Sequence, residues 1–419
     1  MNKKHLYLSD LRGYGRLVLE ATVGITSLVE TMHHNILLLP MPVGQAGTKP
    51  TLGPAHGVVY NVIKASSGLV YRSIRGVARL IGAGLDSALE RLEPELVHIN
   101  SSHERAAIMS VLNGVLGDHM AAGGNPLAIT LNFRHEGHVL YLNRESLDSA
   151  VPQPKGKILL MLHGHCMNEL QWRRNGHDHG EVLAAANDFT PMYVRYNSGL
   201  HISQNGRALA DKLEELVSVW GVPVEEICIL GYSMGGLVAR SACHYAAQAG
   251  HSWLQHVRKL LFVGTPHHGS MVEQAGNLID LILEVSPYTQ ALSRLGKIRS
   301  AGTTDLRHGN MIDEDWVGRN RFSHAADVRI PMSLPENIQC YAIAALIAQE
   351  HCEIRGKLIG DGLVPLRSAL GHHRDTRRAL EFDAQHQKIF YGMNHMGLLD
   401  SQEVCAQLQS WITPATTAM

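Results

Sequence analysis

The stretch EEICILGYSMGG, residues 225–236, decides the fold of this chain of 419 residues. Its apolar part, ICIL, is typical of a strand that is buried on both faces of a parallel sheet. A turn with glycine on both sides of a serine follows this run, and a helical pattern begins at Met234. A strand, a tight turn and a helix in this order form a nucleophile elbow, in which small flanking residues let the serine project above the sheet. Ser233 is therefore the candidate nucleophile, and the start of a helix is a favourable place for developing negative charge.

Further apolar runs of the same kind lie on both sides of this stretch. With the strand at 225–231, they predict strands at residues 157–162, 191–197, 259–264, 338–346 and 387–392. Helical patterns lie between several of them, at residues 167–187, 203–219 and 234–248. A hairpin with its turn at Glu136-Gly137 precedes the first run. Strands and helices that alternate at this spacing predict an α/β fold, a mostly parallel sheet with helices on both faces.

A serine is a poor nucleophile unless a base and an orienting acid accompany it. For this kind of elbow the expected chain order is serine, then Asp or Glu, then His. The loop GDGLVP supplies Asp361 and the loop GMNHMG supplies His395, and each loop follows a predicted strand. Asp375 and Asp383 are rival acids, but their charged neighbours indicate solvent-exposed surface. The sequence therefore predicts a triad of Ser233, Asp361 and His395.

Acyl transfer also needs N–H donors for the oxyanion, each worth on the order of 3 kcal/mol. The residue after the nucleophile, Met234, supplies one backbone N–H. The second donor is expected on the loop LHGHC, residues 162–166, which follows a predicted strand. His165 is the candidate on this loop, and Cys166 is the rival donor.

Five motifs in a fixed order resemble those of α/β-hydrolase-fold lipases and esterases. They are HGH at 163–165, GYSMGG at 231–236, GTPHHGS at 264–270, GDGLVP at 360–365 and the Asn394-His395 pair. The likeness is greatest to the bacterial lipase and GPI-inositol-deacylase-like (PGAP1-like) branch, and it covers about residues 126–419. The resemblance implies the α/β-hydrolase fold with a nucleophile, an acid, a base and two oxyanion donors, which are Ser233, Asp361, His395, His165 and Met234.

The resemblance and the triad together predict a serine hydrolase. Its substrates would be small-molecule or lipid esters of carboxylic acids, cleaved through an acyl-enzyme. No organic cofactor is predicted. Two alternatives stay open: an acyltransferase or thioesterase with the same triad, and a non-catalytic α/β-hydrolase scaffold that binds a ligand or partner.

The chain is predicted to consist of two parts. Residues 1–125 form an N-terminal helical extension, and residues 126–419 form the catalytic domain. An insertion at 271–336, which begins with an apolar helical run, is predicted to be a lid over the acyl pocket. An ordinary connecting helix pair is the alternative for this insertion.

Residues 57–85 combine a basic and an apolar face. On a helical wheel their four cations share one narrow arc opposite a broad apolar face; they are Lys64, Arg72, Arg75 and Arg79. One interpretation is a peripheral contact with an anionic membrane. The other is that the apolar face packs against the hydrolase domain or a second subunit. The sequence leaves the oligomeric state open.

The overall composition excludes several classes of protein. The net charge of −1 argues against a general nucleic-acid binder. The six cysteines contain no C-x-x-C pair and indicate reduced thiols rather than a disulfide framework. The N-terminal residues lack the apolar run of a secretory signal. A cytoplasmic protein, with membrane association through residues 57–85 as an option, is the resulting expectation.

Histidine is abundant, with 26 residues, which raises the question of a metal site. His163 and His165 form an H-x-H motif, but the further ligands of a zinc hydrolase motif do not follow it. His177 and His179 lack the i, i+4 spacing of a helical zinc pair. The sequence therefore assigns no metal ligands, and it leaves open whether a structural metal is bound.

Overall fold

A computed structural model describes residues 8–37, 72, 76, 103–270, 300–319, 327–349 and 360–413. Contacts between residues divide the chain into two compact units. The first unit comprises residues 1–100 and 124–127, and the second comprises residues 101–123 and 128–419.

The first unit contains helix α1, Leu8–Leu37. The Nδ2 of Asn125 donates a hydrogen bond of 3.1 Å to the carbonyl oxygen of Gly13. A Cβ at Gly13 would lie 2.0 Å from a side-chain carbon of Leu127, so only glycine allows this close approach. Apart from positions 72 and 76, residues 57–85 lie outside the described residues, and the membrane contact stays a prediction. None of the described helices combines the length and the apolar character that crossing a membrane requires.

The second unit contains eight strands and the remaining helices that the structure describes. The strands are β1 Asn132–His135, β2 His138–Leu140, β3 Lys157–Leu162, β4 Thr190–Arg195, β5 Glu226–Tyr232, β6 Val257–Val263, β7 Gln339–Leu346 and β8 Gln387–Tyr391. The helices are α2 His103–Ala122, α3 Arg144–Ala150, α4 His179–Asn187, α5 Ile202–Val219, α6 Met234–Ala249, α7 Ala301–His308, α8 Leu366–Ala369 and α9 Gln402–Ile412. Short 3₁₀ turns cover Glu169–Trp172, Ser252–His256, Asp313–Asp315, Ala384–His386 and Met396–Leu399.

The eight strands form one sheet in the order β2-β1-β4-β3-β5-β6-β7-β8. Strand β1 runs antiparallel to β2 and β4, and the six strands from β3 to β8 are parallel to one another. The predicted α/β-hydrolase fold is confirmed by this mostly parallel sheet with helices around it. In such sheets the loops at the carboxyl ends of the strands build the site.

Strand β5 lies at the centre of this sheet and is buried on both faces. Ile227 and Ile229 belong to one apolar cluster, whereas Cys228 and Leu230 belong to the cluster on the opposite face. All four side chains are fully buried. This double burial explains why the strand is a continuous apolar run rather than an alternating one.

The predicted helix at 167–187 is wrong over its first half. The structure has a 3₁₀ turn at Glu169–Trp172, and a helix begins only at His179. Asn175 and Gly176 adopt positive φ values of 49° and 78°, which an α-helix does not accommodate. Asp178 then caps α4 by accepting a hydrogen bond from the N–H of Glu181.

Helix α2 belongs to the second unit, although the predicted boundary at 125/126 assigned it to the extension. Asn197 Nδ2 donates to the carbonyl oxygen of Gly117 at 3.0 Å, and Ser300 Oγ donates to that of Gly114 at 2.6 Å. These contacts join α2 to the loop after β4 and to the start of the helix Ala301–His308. The functional division of the chain stays a prediction.

The predicted lid at 271–336 is described only in part, because residues 271–299 and 320–326 lie outside the described residues. The described portion contains α7, which Ser300 caps by accepting a hydrogen bond from the N–H of Thr303. Asp305 of this helix accepts hydrogen bonds from the N–H of Ile202 and from a ring nitrogen of His201. The described portion is therefore fixed to the core, and the lid role stays a prediction.

Candidate active site

Ser233 sits in the turn between β5 and α6 with φ 52° and ψ −121°. For a residue other than glycine this conformation costs about 1–3 kcal/mol, which the surroundings must offset. Backbone hydrogen bonds hold it, because the Ser233 N–H donates to Val263 at 2.8 Å. The turn is also tight, since a Cβ at Gly235 would lie 2.3 Å from the carbonyl oxygen of Leu162 and one at Gly231 would lie 2.5 Å from Gly236. The fold therefore fixes Ser233 in the geometry of a nucleophile elbow.

His395 and Asp361 form a buried hydrogen-bonded pair. The distance from His395 Nδ1 to Asp361 Oδ2 is 2.6 Å, and both side chains are almost fully buried. The other carboxylate oxygen accepts from the N–H groups of Leu363 and Val364, at 3.0 and 2.8 Å. The His395 N–H donates to the carbonyl oxygen of Asp361 as well. The acid is thus held in one orientation and fixes the imidazole through Nδ1.

The rival acids lie in other environments. Asp375 accepts hydrogen bonds from Arg377 and Arg378. The Asp383 side chain is 82% exposed and lies 3.6 Å from His386. Neither is bonded to His395, so the structure brings only Asp361 of the three together with the candidate base.

Tyr232 is a neighbour of the base that sequence reasoning did not single out. Its ring centroid lies 4.9 Å from that of His395, and its hydroxyl donates to the His395 carbonyl oxygen at 3.0 Å. Tyr232 occupies the variable position of the G-x-S-x-G motif, where the pattern alone gives no signal.

Ser233 and His395 line the same pocket. Gly164, Leu306 and Met396 are among the other lining residues. Within the part of the chain that the structure describes, the Ser233 hydroxyl makes no hydrogen bond, including none to His395. Such bonds are often long or unformed before substrate binds. Ser233 and His395 therefore share the pocket, and Asp361 is connected to it through its hydrogen bond to His395.

The backbone N–H groups of His165 and Met234 are the candidate oxyanion donors. Neither donates to an acceptor in the described residues, and both residues line or adjoin the pocket. The rival Cys166 N–H already donates to Ser198 Oγ at 3.0 Å. The geometry therefore favours His165 over Cys166 for the second donor.

The His165 side chain forms hydrogen bonds to two other segments of the second unit. Because a carbonyl oxygen only accepts, His165 Nδ1 donates to Ser198 at 3.1 Å, and Nε2 accepts from the Thr303 hydroxyl at 3.1 Å. Burial lowers the pKa of His165 to about 4, so the ring is neutral at pH 7. Thr303 lies in the predicted lid insertion, and only the tertiary structure reveals this contact.

His163, two residues earlier, is a buried structural residue. Its ring stacks on Tyr196 at 4.2 Å, and its Nδ1 donates to the carbonyl oxygen of Gly164 at 2.8 Å. Burial lowers the pKa of His163 to about 3. Both histidines of the HGH motif therefore hold the candidate oxyanion loop, residues 162–166, in place.

We expect the second unit to lose stability as the pH falls below about 6.5. A histidine that is buried and neutral binds a proton less readily in the folded state than in the unfolded state, so acid favours unfolding. For His165, whose pKa falls to about 4, the free energy of unfolding should drop by on the order of 2 kcal/mol between pH 8 and pH 5. The measurement is urea denaturation at both pH values.

The matched variant for this prediction is His165→Asn, whose amide nitrogen keeps the bond to Ser198 and cannot be protonated. Its difference in unfolding free energy between pH 8 and pH 5 should be smaller than that of the wild type by about this amount. An unchanged pH dependence in the variant contradicts the prediction.

Residues 153–335 match the family model of the PGAP1-like alpha/beta domain, a range that is somewhat under half of the chain. A comparison with curated protein sequences gave no match.

Several solved structures are similar to this chain. A Bacillus licheniformis lipase in its mature form is 16% identical, with a TM-score of 0.40, over 63% of this chain and 95% of the lipase. A Pyrobaculum calidifontis esterase is 14% identical, with a TM-score of 0.37, over 62% of this chain and 76% of the esterase. Aspergillus fumigatus lipase B is 12% identical, with a TM-score of 0.37, over 64% of this chain and 57% of the lipase. The sheet order and the family match together show a protein with the α/β-hydrolase fold that is similar to lipases and esterases.

Proposed function

We propose that this chain is a serine hydrolase that cleaves carboxylic esters with an apolar acyl group, through an acyl-enzyme on Ser233. One observation carries the proposal. Ser233, in the strained turn of an elbow, shares a pocket with His395, whose Nδ1 is bonded to the buried Asp361. A structural serine would not require a strained turn, a buried acid and a base at the same place.

The chemistry follows from the positions of these atoms. With its Nδ1 proton bonded to Asp361, the neutral His395 has its lone pair on Nε2 and accepts the proton of Ser233 as Oγ attacks the ester carbonyl. The N–H groups of His165 and Met234 then stabilise the oxyanion of the tetrahedral intermediate. His395 returns the proton to the departing alcohol. In the second half, His395 takes a proton from water as the water oxygen attacks the acyl carbon. The bond between that carbon and Ser233 Oγ then breaks, and His395 gives the proton to Oγ, which releases the acid and restores Ser233.

The lining of the pocket supports an apolar acyl group. Among its described lining residues there is no Lys, Arg, Asp or Glu, and several are apolar. The apolar ones are Met167, Leu306, Leu363, Val364 and Met396. A charged acyl group would lose its hydration there without a partner, whereas an alkyl chain gains about 0.8 kcal/mol per buried CH₂.

The test is a series of nitrophenyl esters with increasing acyl length. We expect kcat/KM to rise by roughly fourfold for each added CH₂ until the pocket is full, because each buried CH₂ contributes about 0.8 kcal/mol. Rates that do not change with acyl length would contradict an apolar acyl site.

Two further measurements separate the alternatives. An acyltransferase would pass the acyl group to an added alcohol in preference to water, and a thioesterase would hydrolyse a thioester faster than the matched ester. A non-catalytic scaffold would not react with a fluorophosphonate probe, which labels an activated serine. Transfer to water, with probe labelling of Ser233, supports the hydrolase.

A further inference from the structure

Three side chains of types that can bind metal ions meet on one face of the sheet, outside the pocket of Ser233. They are His177, His179 and Cys405, and one ligand atom from each lies within 4.8 Å of the others. His179 is the first residue of α4, and Cys405 lies on α9, which packs against α4. Neither histidine takes part in the chemistry proposed for Ser233.

His179 presents an unprotonated ring nitrogen to this cluster. Its Nε2 lies 2.9 Å from the carbonyl oxygen of Leu398, so Nε2 must carry the proton and donate it. The Nδ1 atom therefore has a lone pair, and it lies 2.8 Å from Nε2 of His177. A backbone carbonyl that fixes the tautomer of a histidine in this way is a common second partner of metal-bound imidazoles.

His177 is held by a turn that does not depend on a metal. Two backbone hydrogen bonds of 2.8 Å join Arg174 and His177 across the left-handed residues Asn175 and Gly176. Arg174 and Asn175 both donate to Asp400, five residues before Cys405. The backbone that carries the first ligand is therefore tied to the segment that carries the third.

Cys405 completes the set with a sulfur atom. It is buried and forms no disulfide. Two imidazoles and a thiolate suit zinc, which binds nitrogen at about 2.0–2.1 Å and sulfur at about 2.3 Å with tetrahedral geometry. Calcium and magnesium prefer oxygen ligands, and this set offers none.

We propose that His177, His179 and Cys405 bind a zinc ion, with solvent in the fourth position at the partly exposed His177. Tetrahedral zinc separates two nitrogen ligands by roughly 3.3 Å and a nitrogen from a sulfur by roughly 3.6 Å. The 2.8 Å between His177 Nε2 and His179 Nδ1 must therefore lengthen by about 0.5 Å, and a separation near the 4.8 Å limit must contract by about 1 Å. On binding, the Cys405 thiol releases its proton to solvent. His177 moves its ring proton, by exchange with solvent, from Nε2, where it is donated to His179 Nδ1, to its own Nδ1, so that Nε2 is free to bind the metal. No electron is transferred.

Sequence spacing argued against this site because His177 and His179 do not lie on one face of a helix. Two features of the fold nevertheless bring the ligands together. The turn before α4 takes His177 off the helix, and the C-terminal helix brings Cys405 to the pair.

Bound zinc would restrict the movement of the turn that follows His395, the base of the candidate triad. Leu398, which accepts the His179 hydrogen bond, lies in the 3₁₀ turn Met396–Leu399 directly after His395. Zinc would join α4, α9 and this turn. The role is a stabilising one, since none of the ligands lines the pocket of Ser233.

The test uses the tag-free full chain after treatment with a chelator. Zinc is titrated against a chromophoric competitor, and cobalt is added in a separate experiment. We expect one equivalent of either metal to bind, with a thiolate-to-cobalt charge-transfer band in the near ultraviolet. Zinc should also raise the thermal midpoint, because it binds the folded state selectively.

Two matched variants decide whether the cluster is the site. Cys405→Ala should lose the charge-transfer band and the zinc-dependent rise in thermal midpoint, and its affinity for zinc should fall by about 100-fold or more, since loss of an outer-shell partner alone costs 10–100-fold. Cys243→Ala removes another buried free cysteine and should bind like the wild type. Folding of both is checked by circular dichroism. Stoichiometric binding with a thiolate band in Cys405→Ala, or none in the folded wild type, would overturn the proposal.

Discussion

Replacing Ser233 by alanine is expected to lower kcat for a nitrophenyl ester by on the order of 10⁶-fold. The reason is that the other two hydroxyl groups among the described lining residues donate to backbone carbonyl oxygens, Ser270 to Leu306 and Tyr232 to His395, so neither is positioned to pass its proton to the base. Only uncatalysed attack by water on the bound ester then remains. The variant should also lose covalent labelling by a fluorophosphonate probe. Its stability should change little, because the Ser233 hydroxyl makes no hydrogen bond in the described part of the chain and alanine must adopt the same strained turn.

A suitable control is Ser252→Ala, which removes a hydroxyl that bonds to Glu214 at the surface. This variant should keep both activity and labelling. The assay combines steady-state kinetics with mass spectrometry of the labelled peptide. If Ser233→Ala retains more than about a thousandth of the wild-type rate, the elbow is not the source of the activity.

The sequence predicts the sheet well because its strands are buried on both faces. Continuous apolar runs mark β3 at Lys157–Leu162 and β7 at Gln339–Leu346 within one residue of their observed ends. The chain order of the motifs also predicts that Ser233, Asp361 and His395 follow β5, β7 and β8, and the structure places them there.

What the sequence does not predict depends on contacts between distant residues. The helical pattern at 167–187 extends across Asn175-Gly176, and only the left-handed turn there interrupts it. The contact between His165 and Thr303 joins the candidate oxyanion loop to an insertion whose path no local pattern specifies. Local periodicity predicts helices and strands. The residues that contact a site residue from a distant part of the chain depend on how those helices and strands pack.

Replacing Asp361 by asparagine is expected to lower kcat by on the order of 10⁴-fold at neutral pH. The side-chain oxygen of asparagine can still accept the hydrogen bonds from Leu363 and Val364, so its amide nitrogen would face His395 Nδ1. An amide nitrogen donates rather than accepts, and the imidazole must then present a lone pair at Nδ1 and carry its proton on Nε2. That tautomer cannot remove the proton of Ser233. The loss corresponds to about 5.5 kcal/mol of transition-state stabilisation, although the fold and the pocket are preserved.

The rival acid supplies the matched control for this variant. Asp375→Asn makes the same chemical change in a carboxylate whose partners are Arg377 and Arg378. It should therefore leave kcat within about threefold of the wild type, since neither Asp375 nor its two arginine partners is among the described residues that line the pocket of Ser233. Both variants are compared by steady-state kinetics on one ester, after circular dichroism has verified their folding. A variant Asp361→Asn with more than a tenth of the wild-type activity would mean that Asp361 does not orient the base. A large loss in Asp375→Asn alone would transfer that role to Asp375, because then the buried pair at 2.6 Å would be a structural contact rather than part of the triad.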